Sequence, residues 1–189
     1  MLRALRRLES VPPPLAFEAV YREHFSMVWR VLRRLGVPER DVPDATQDVF
    51  VVVHRTLDAF DQRSRVTTWL YAICLRIASD RRRRASNRLE AVGDPDESHL
   101  SSSTEEPGET AERRALLRKA LDEMTLEQRS VFVLFELEGM TGGEIAKLVE
   151  SPLATVHSRL RLARDVFRRV VERARARDAF DLVRMGDKP

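Results

Sequence analysis

SPLATVHSRLRLARDVFRR, residues 151–169, combines a helix start, one apolar stripe and one strongly basic face. Ser151 is a favoured N-cap residue type, and Pro152 suits the first helical position, where its missing N–H would have had no partner anyway. Val156, Leu160, Ala163, Val166 and Phe167 recur at helical steps and share one side. His157, Ser158, Arg159, Arg161, Arg164 and Arg168 face elsewhere. A helix that anchors one face and offers hydrogen-bond donors on another fits a DNA major groove. An ordinary amphipathic surface helix has the same pattern, so the flanking sequence decides between them.

Upstream, Thr125-Leu126-Glu127-Gln128 is a capping box, with Thr at the N-cap and Gln three residues on. It opens a helix that places Val131, Leu134 and Phe135 inside and ends near Gly139. Thr141-Gly142-Gly143-Glu144 is a second capping box, opening a short helix with Ile145, Ala146, Leu148 and Val149 inside. A turn at Glu150-Ser151 then leads into the basic helix. A short capped helix, a tight turn and a basic helix make a helix-turn-helix. Before it, Arg113–Met124 places Leu116, Leu117, Ala120, Leu121 and Met124 at helical spacing.

The first half of the chain is also helical. Phe17, Val20, Tyr21, His24, Phe25, Val28, Trp29, Val31, Leu32 and Leu35 form one stripe, and Gly36 and Pro38 stop it. A second helix runs from about Asp41 to Phe60, with Val42, Ala45, Val49, Val52, Val53 and Phe60 inside and Asp44, Gln47, Asp48, Arg55 and Asp58 outside. Val49–Val53 would suit a strand locally, but the helical period on both sides outweighs that preference. Asp61–Val66 is a polar loop. Thr67 or Thr68 caps a third helix to about Arg84 that buries Trp69, Leu70, Ile73, Cys74 and Ile77. It ends in Arg81-Arg82-Arg83-Arg84, a run that suits the negative end of a helix and can hold phosphate only beside other nucleic-acid contacts.

Charge is unevenly spread along the 189 residues, although the net charge is only +3. Leu89–Glu112 carries eight acidic residues and no basic one, whereas Pro152–Arg177 carries eight arginines against Asp165 and Glu172. Such asymmetry suggests a polyanionic partner for the basic segments and a solvated linker for the acidic one. Cys74 is the lone cysteine and reads as core filler, and the four histidines are scattered, so no metal site is expected. No apolar run approaches the ~20 residues of a membrane span. No glycine-rich phosphate loop occurs. Asp44 and Asp48 lie one turn apart, but no His or Lys base accompanies them, so a solvated or partner-binding face is the better reading than catalysis. The expected architecture is all-α, with two small helical domains joined by a flexible acidic linker. Residues 1–14 form a loose basic arm, 15–86 and 113–177 the domains, 87–112 the linker and 178–189 a frayed tail. The protein is expected to be soluble and cytosolic, with no cofactor and no membrane insertion.

Taken together, the halves resemble an extracytoplasmic-function (ECF) sigma factor of bacterial RNA polymerase. FEAVYREHFSMVWRVLRRLGV, DVPDATQDVF and VTTWLYAICLRIASDRRRR are similar to the family's region 2, and ALDEMTLEQRSVFVLFELEGMT, EIAKLV and TVHSRLRLARDVFR to its region 4. The resemblance implies that the protein binds core polymerase, reads two promoter elements and helps to melt one. It implies that Asp44, Gln47 and Asp48 meet the clamp of the largest polymerase subunit. It places Arg63, Ser64, Trp69, Arg76, Asp80, Arg81, Arg83 and Arg84 at the −10 element, with the loop Asp61–Val66 where a flipped base is captured. It places Thr155, His157, Ser158, Arg159 and Arg161 at the −35 element. An anti-sigma factor is a further implied partner. The chain departs from the family pattern at Val42-Pro43, at Arg76, where Asn is common, at Gly142-Gly143, at Glu150, where Gly is common, and at Leu162, where Arg is common. The alternative is a stand-alone helix-turn-helix regulator, for which an all-helical first half with Trp69 and an arginine run is less suited.

Overall fold

The computed structural model describes the backbone of residues 15–60, 64–92 and 109–186, with side chains over 15–60, 64–84 and 111–177. The described residues are all-helical. The elements are α1 (Phe17–Arg34), α2 (Val42–Thr56), α3 (Val66–Val92), α4 (Glu109–Asp122), α5 (Leu126–Phe132), α6 (Gly142–Leu148) and α7 (Leu153–Gly186), with short 3-10 turns at Glu39–Asp41 and Leu57–Ala59.

Helices α1, α2 and α3 pack on one another, and α4, α5 and α6 pack on α7. In the first group Val28, Val31, Leu32 and Leu35 meet Val42, Ala45, Val49 and Val53 of α2 and Leu70, Cys74 and Ala78 of α3, all buried. In the second, Leu121, Val131, Leu134 and Ile145 surround Val156, Leu160 and Ala163. Each Val, Leu or Ile among them contributes about 1.5–3 kcal/mol on burial, which is what fixes these faces inward. Phe50, absent from the stripe expected for α2, is its buried aromatic, while Val52 is only half-buried.

Helix ends follow local chemistry. Gly36 at φ +90° closes α1: its N–H reaches the Arg33 carbonyl, and that of Val37 reaches back to Leu32. Beyond α5 the backbone widens into a π-type turn over Val133–Leu137, with the Glu138 N–H bonded to the Val133 carbonyl at 3.0 Å. Gly139 at φ +70° then ends the segment, near where the sequence places the stop.

Several expected boundaries are corrected. The second helix leaves α geometry at Thr56 and reaches Phe60 only through a 3-10 turn. The third is entered at Val66, because the Trp69 N–H bonds the Arg65 carbonyl, and neither threonine is the cap. It continues past Arg84 to Val92, since ASNRLEAV has neither Gly nor Pro to stop it. Helix α4 begins at Glu109, so the expected linker 87–112 is helical at both ends. For the same reason α7 runs on to Gly186 through the expected tail. The arm 1–14 and the centre of the linker, 93–108, lie outside the described residues.

Candidate nucleic-acid interface

Capping boxes start both α5 and α6, the first helix of the helix-turn-helix. The Thr125 Oγ1 accepts the Gln128 N–H at 3.3 Å, and the Gln128 side chain accepts the Thr125 N–H at 3.1 Å. The Thr141 hydroxyl likewise accepts the Glu144 N–H at 3.3 Å, and the Glu144 carboxylate accepts the Thr141 N–H at 2.8 Å. These backbone donors hold the Glu144 carboxyl below its ordinary range, with the Thr141 hydroxyl adding to the effect. The Glu127 carboxyl is lowered by backbone N–H and by the Thr125 side chain. The turn closes as a Schellman motif: Ser151 N–H reaches the Ala146 carbonyl at 3.0 Å, and Glu150 takes the left-handed position at φ 49°.

That turn corrects the start of α7. The first carbonyl to accept helical N–H groups is that of Pro152, from Thr155 and Val156, so Pro152 is the cap and Ser151 precedes it. The Ser151 hydroxyl instead donates to the Val149 carbonyl at 3.2 Å and accepts from Arg159 at 3.4 Å. Of the five α7 positions expected on DNA, His157, Ser158 and Arg161 are exposed, while Thr155 and Arg159 are half-buried against the turn. Arg161 lies 3.6 Å from Asp165, and Arg164 is drawn to Glu136 and over the Phe135 ring. A Cβ on Gly142 would stand 3.0 Å from His157 Nε2 and 3.1 Å from Leu153 Cδ1, so the glycine seats both side chains. Leu162 is exposed beside the arginines.

On the first half, Asp44, Gln47 and Asp48 all face solvent along α2. Asp48 is bound by Arg81 of α3 at 2.5 Å. Beside them α1 and α2 enclose an open apolar groove of 520 Å³, lined by Phe17, Tyr21, Phe25, Trp29, Phe50 and Val51, with the Thr46 hydroxyl buried in its floor. Trp69 is half-buried with Phe60 stacked on it at 4.7 Å. Ser64, Arg76, Arg83 and Arg84 are exposed, and Asp80 pairs with Arg83 at 3.1 Å. Arg63 lies outside the described residues.

Comparison with known proteins agrees with this arrangement. Sigma-70 region 2 matches residues 20–88, and Sigma-70, region 4 matches residues 114–165. The RNA polymerase sigma factor NccH of Alcaligenes xylosoxydans xylosoxydans is 30% identical over 166 residues, covering 85% of this chain and 89% of NccH. The ECF RNA polymerase sigma-E factor of Escherichia coli K12 is 31% identical over 148 residues, covering 68% of this chain and 73% of its own. The chain belongs to the ECF family of RNA polymerase sigma factors. It is thus a regulatory subunit that directs transcription initiation, and the stand-alone regulator is set aside. The solved structure of CnrH in complex with the cytosolic domain of CnrY is similar to this sigma factor at 26% identity and a TM-score of 0.60, covering 82% of this chain and 87% of CnrH. The sigma factor RpoE of Bartonella quintana, solved with the anti-sigma factor NepR, shares the fold at a TM-score of 0.65 and 19% identity, over 82% of this chain and 96% of RpoE. No helix among the described residues of this sigma factor is long and apolar enough to cross a membrane.

Sequence reasoning missed the junction between the halves of the sigma factor. The Glu138 carboxylate accepts from Arg34 at 2.7 Å, from the Tyr71 hydroxyl at 2.8 Å and from Arg30 at 3.5 Å. Arg129 donates from Nε to the Arg34 carbonyl at 2.6 Å, from Nη2 to the Arg33 carbonyl at 3.3 Å and from Nη1 to Asp122 at 3.0 Å. Burial, then the Glu138 bond, pushes the Tyr71 hydroxyl up, and burial lowers the Arg129 guanidinium against the opposing pull of Asp122. Burial also pushes the Cys74 thiol up to about 12, in keeping with its reading as core filler. One signal for Arg129 was available: it occupies the apolar register of Phe132 and Val133, three and four residues on.

Proposed function

We propose that this sigma factor grips core polymerase through the outward face of α2 and promoter DNA at two points. Asp44, Gln47 and Asp48 supply carboxylates and an amide to basic side chains on the polymerase clamp, the kind of charge-assisted pairing that sets register. Ser64, Trp69, Arg76, Asp80, Arg81, Arg83 and Arg84, with Arg63 and its loop, take the −10 element. The unstacked bases need aromatic and polar side chains, and the arginines hold phosphate. Thr155, His157, Ser158, Arg159 and Arg161 take the −35 element. The observation that carries this reading is the capped helix-turn-helix, whose second helix leaves His157, Ser158 and Arg161 exposed on one side. An anti-sigma polypeptide belongs to the same reading, and the apolar α1–α2 groove offers it a surface beside the clamp-binding face. Action is cytoplasmic, with association to the nucleoid in the holoenzyme. Run-off transcription by reconstituted holoenzyme on a promoter library tests it: selective initiation is expected, and initiation no different from that of core polymerase alone refutes it. A pull-down of core polymerase without DNA tests the clamp contact separately.

A further inference from the structure

We propose that Leu162 is a base-reading residue of α7, and that it selects thymine at one position of the −35 element by packing on the thymine methyl group. The inference rests on the −35 reading proposed above and names one of the bases read.

Tyr21, Val51, Leu153 and Leu162 are the large hydrophobic side chains that stand exposed among the described residues. Three of them have a setting. Tyr21 and Val51 line the α1–α2 groove, and Leu153 reaches back to α6, its Cδ1 3.1 Å from where a Gly142 Cβ would stand. Leu162 instead lies 41% exposed in the middle of the basic stretch of α7.

Its register sets it apart. Thr155, Ser158, Arg159 and Leu162 stand at i, i+3, i+4 and i+7, the spacing that gathers side chains on one face of a helix. At about 100° per residue, Leu162 lies within about 20° of Thr155 and about 40° of Ser158 around the helix axis. Arg161 is about 100° away and His157 about 140°. Along the axis Leu162 is about 6 Å beyond Ser158, more than the roughly 3.4 Å between base pairs, so on a helix lying along the groove it meets a pair that the serine does not.

The packing of α7 fixes this direction. Val156, Leu160, Ala163 and Val166 are buried on the other flank, and no rotation of the helix can bury Leu162 without exposing them. Asp165, one turn further on, is taken by Arg161 at 3.6 Å and by Arg168 at 3.1 Å. The carboxylate nearest Leu162 on the helix surface is thus neutralised and does not bar DNA from the leucine.

The chemistry of the major groove then names the base. Base edges present hydrogen-bond donors and acceptors there, and the thymine methyl is the apolar group among them. A leucine neither donates nor accepts, so against a polar edge it would shed water from groups it cannot partner. Against thymine both surfaces are apolar and both leave water. One methyl group withdrawn from water corresponds to a selection of about 3–5-fold.

The test uses holoenzyme reconstituted with the full chain, and run-off transcription from promoters randomised across the −35 element. Wild type is expected to prefer thymine at one position. Leu162→Ala should lose that preference and keep the others. Leu162→Arg should move it to guanine, which an arginine can hold through O6 and N7. The selected promoter is then made with uracil in place of that thymine, which removes only the methyl. Wild-type initiation should fall about 3–5-fold, and Leu162→Ala should initiate equally from both templates. At the same position 5-methylcytosine should outperform cytosine for wild type alone. Circular dichroism checks that each variant is folded, and the thymine–uracil comparison on wild type needs no variant. No uracil penalty in wild type, a penalty equal in wild type and Leu162→Ala, or a Leu162→Ala profile that keeps every preference would overturn the proposal. A wild-type profile flat across the −35 element would remove the −35 reading beneath it as well, whereas a selective profile that changes at Leu162 leave untouched removes only the part given to the leucine.

Discussion

Arg81 of α3 holds Asp48 of α2 at 2.5 Å, so a residue proposed for DNA and a residue proposed for polymerase are partners in the free protein. Asp48 is largely exposed, and an exposed ion pair contributes only about 0–1 kcal/mol to stability. A basic helix of the polymerase can therefore take Asp48 at little cost and leave Arg81 free for phosphate. Asp48→Arg is expected to leave circular dichroism and melting nearly unchanged while weakening core polymerase capture at least about ten-fold, because a charge reversal at an interface adds repulsion to the lost attraction. A pull-down with normal core affinity would remove Asp48 from that surface.

The turn of the helix-turn-helix should be improvable. Glu150 sits at φ 49°, where an L side chain costs about 1–2 kcal/mol, and it makes the Schellman turn despite that. Glu150→Gly removes the clash and gives back part of the gain as backbone entropy, for a net stabilisation of about 0.5–1 kcal/mol. Thermal melting should rise by several degrees, at about 4–8 °C per kcal/mol for a domain of this size. A lower melting temperature would mean that the Glu150 side chain contributes more than its backbone costs.

These two cases show what the sequence makes legible. Glu150 stands out in the sequence only as a departure from the family pattern, where Gly is common, and the Schellman turn that holds it at φ 49° is local to residues 146–151. The capping boxes, the Gly36 stop and the helical stripes are legible for the same reason. The Arg81 contact to Asp48 spans 33 residues, and the Glu138 contacts span 67 to 108, so neither has a local signature. Composition suggests polar linkers at the ends of α3 and α7, but no residue there stops a helix, so both run longer than expected. Ser151 has the residue type of a cap, whereas the Schellman turn needs its N–H and moves the cap to Pro152.

Acid should loosen the second half through the carboxyls at the starts of α5 and α6. The Glu127 and Glu144 carboxyls titrate below the ordinary glutamate value of 4.5 when folded. A carboxyl lowered on folding contributes stability that is fully present above its unfolded value and is lost as pH falls through the folded one. Melting temperature should therefore hold from neutral pH to about 5 and fall below 4, on the linkage just stated. Glu144→Gln can still accept the Thr141 N–H but cannot titrate, so its acid decline should be shallower. An identical decline in both proteins would assign the effect to other groups. Thr141→Ala should cost about 1 kcal/mol at neutral pH and less once acid protonates Glu144, because the Thr141 hydroxyl also donates to that carboxylate.

Burial raises the Cys74 thiol to about 12 and leaves no exposed sulfur, so the native protein should resist thiol reagents at pH 8. Labelling should follow global unfolding, because α1 and α2 must leave α3 before the reagent reaches it. Measured in rising denaturant, labelling should track the loss of helix by circular dichroism. Labelling well before that transition would show that the first half opens by itself.

Arg159 and Arg161 are both proposed to meet the −35 element, but they stand in different settings. Arg161 is exposed and lies 3.6 Å from Asp165, a pair that DNA phosphate can displace at low cost. Arg159 is half-buried, with Nη1 3.4 Å from the Ser151 hydroxyl, so its direction is fixed by the turn before DNA arrives. A pre-aimed guanidinium suits bidentate contact to guanine, and Arg159→Ala should cost about 1–3 kcal/mol on the preferred site and relax selection there. Arg161→Ala should instead weaken binding similarly on all sequences and flatten its dependence on salt, as loss of a phosphate contact does. Anisotropy titrations on matched and mismatched duplexes at two salt concentrations separate these effects. The reverse result, with Arg161→Ala changing selectivity and Arg159→Ala only salt dependence, would exchange their roles.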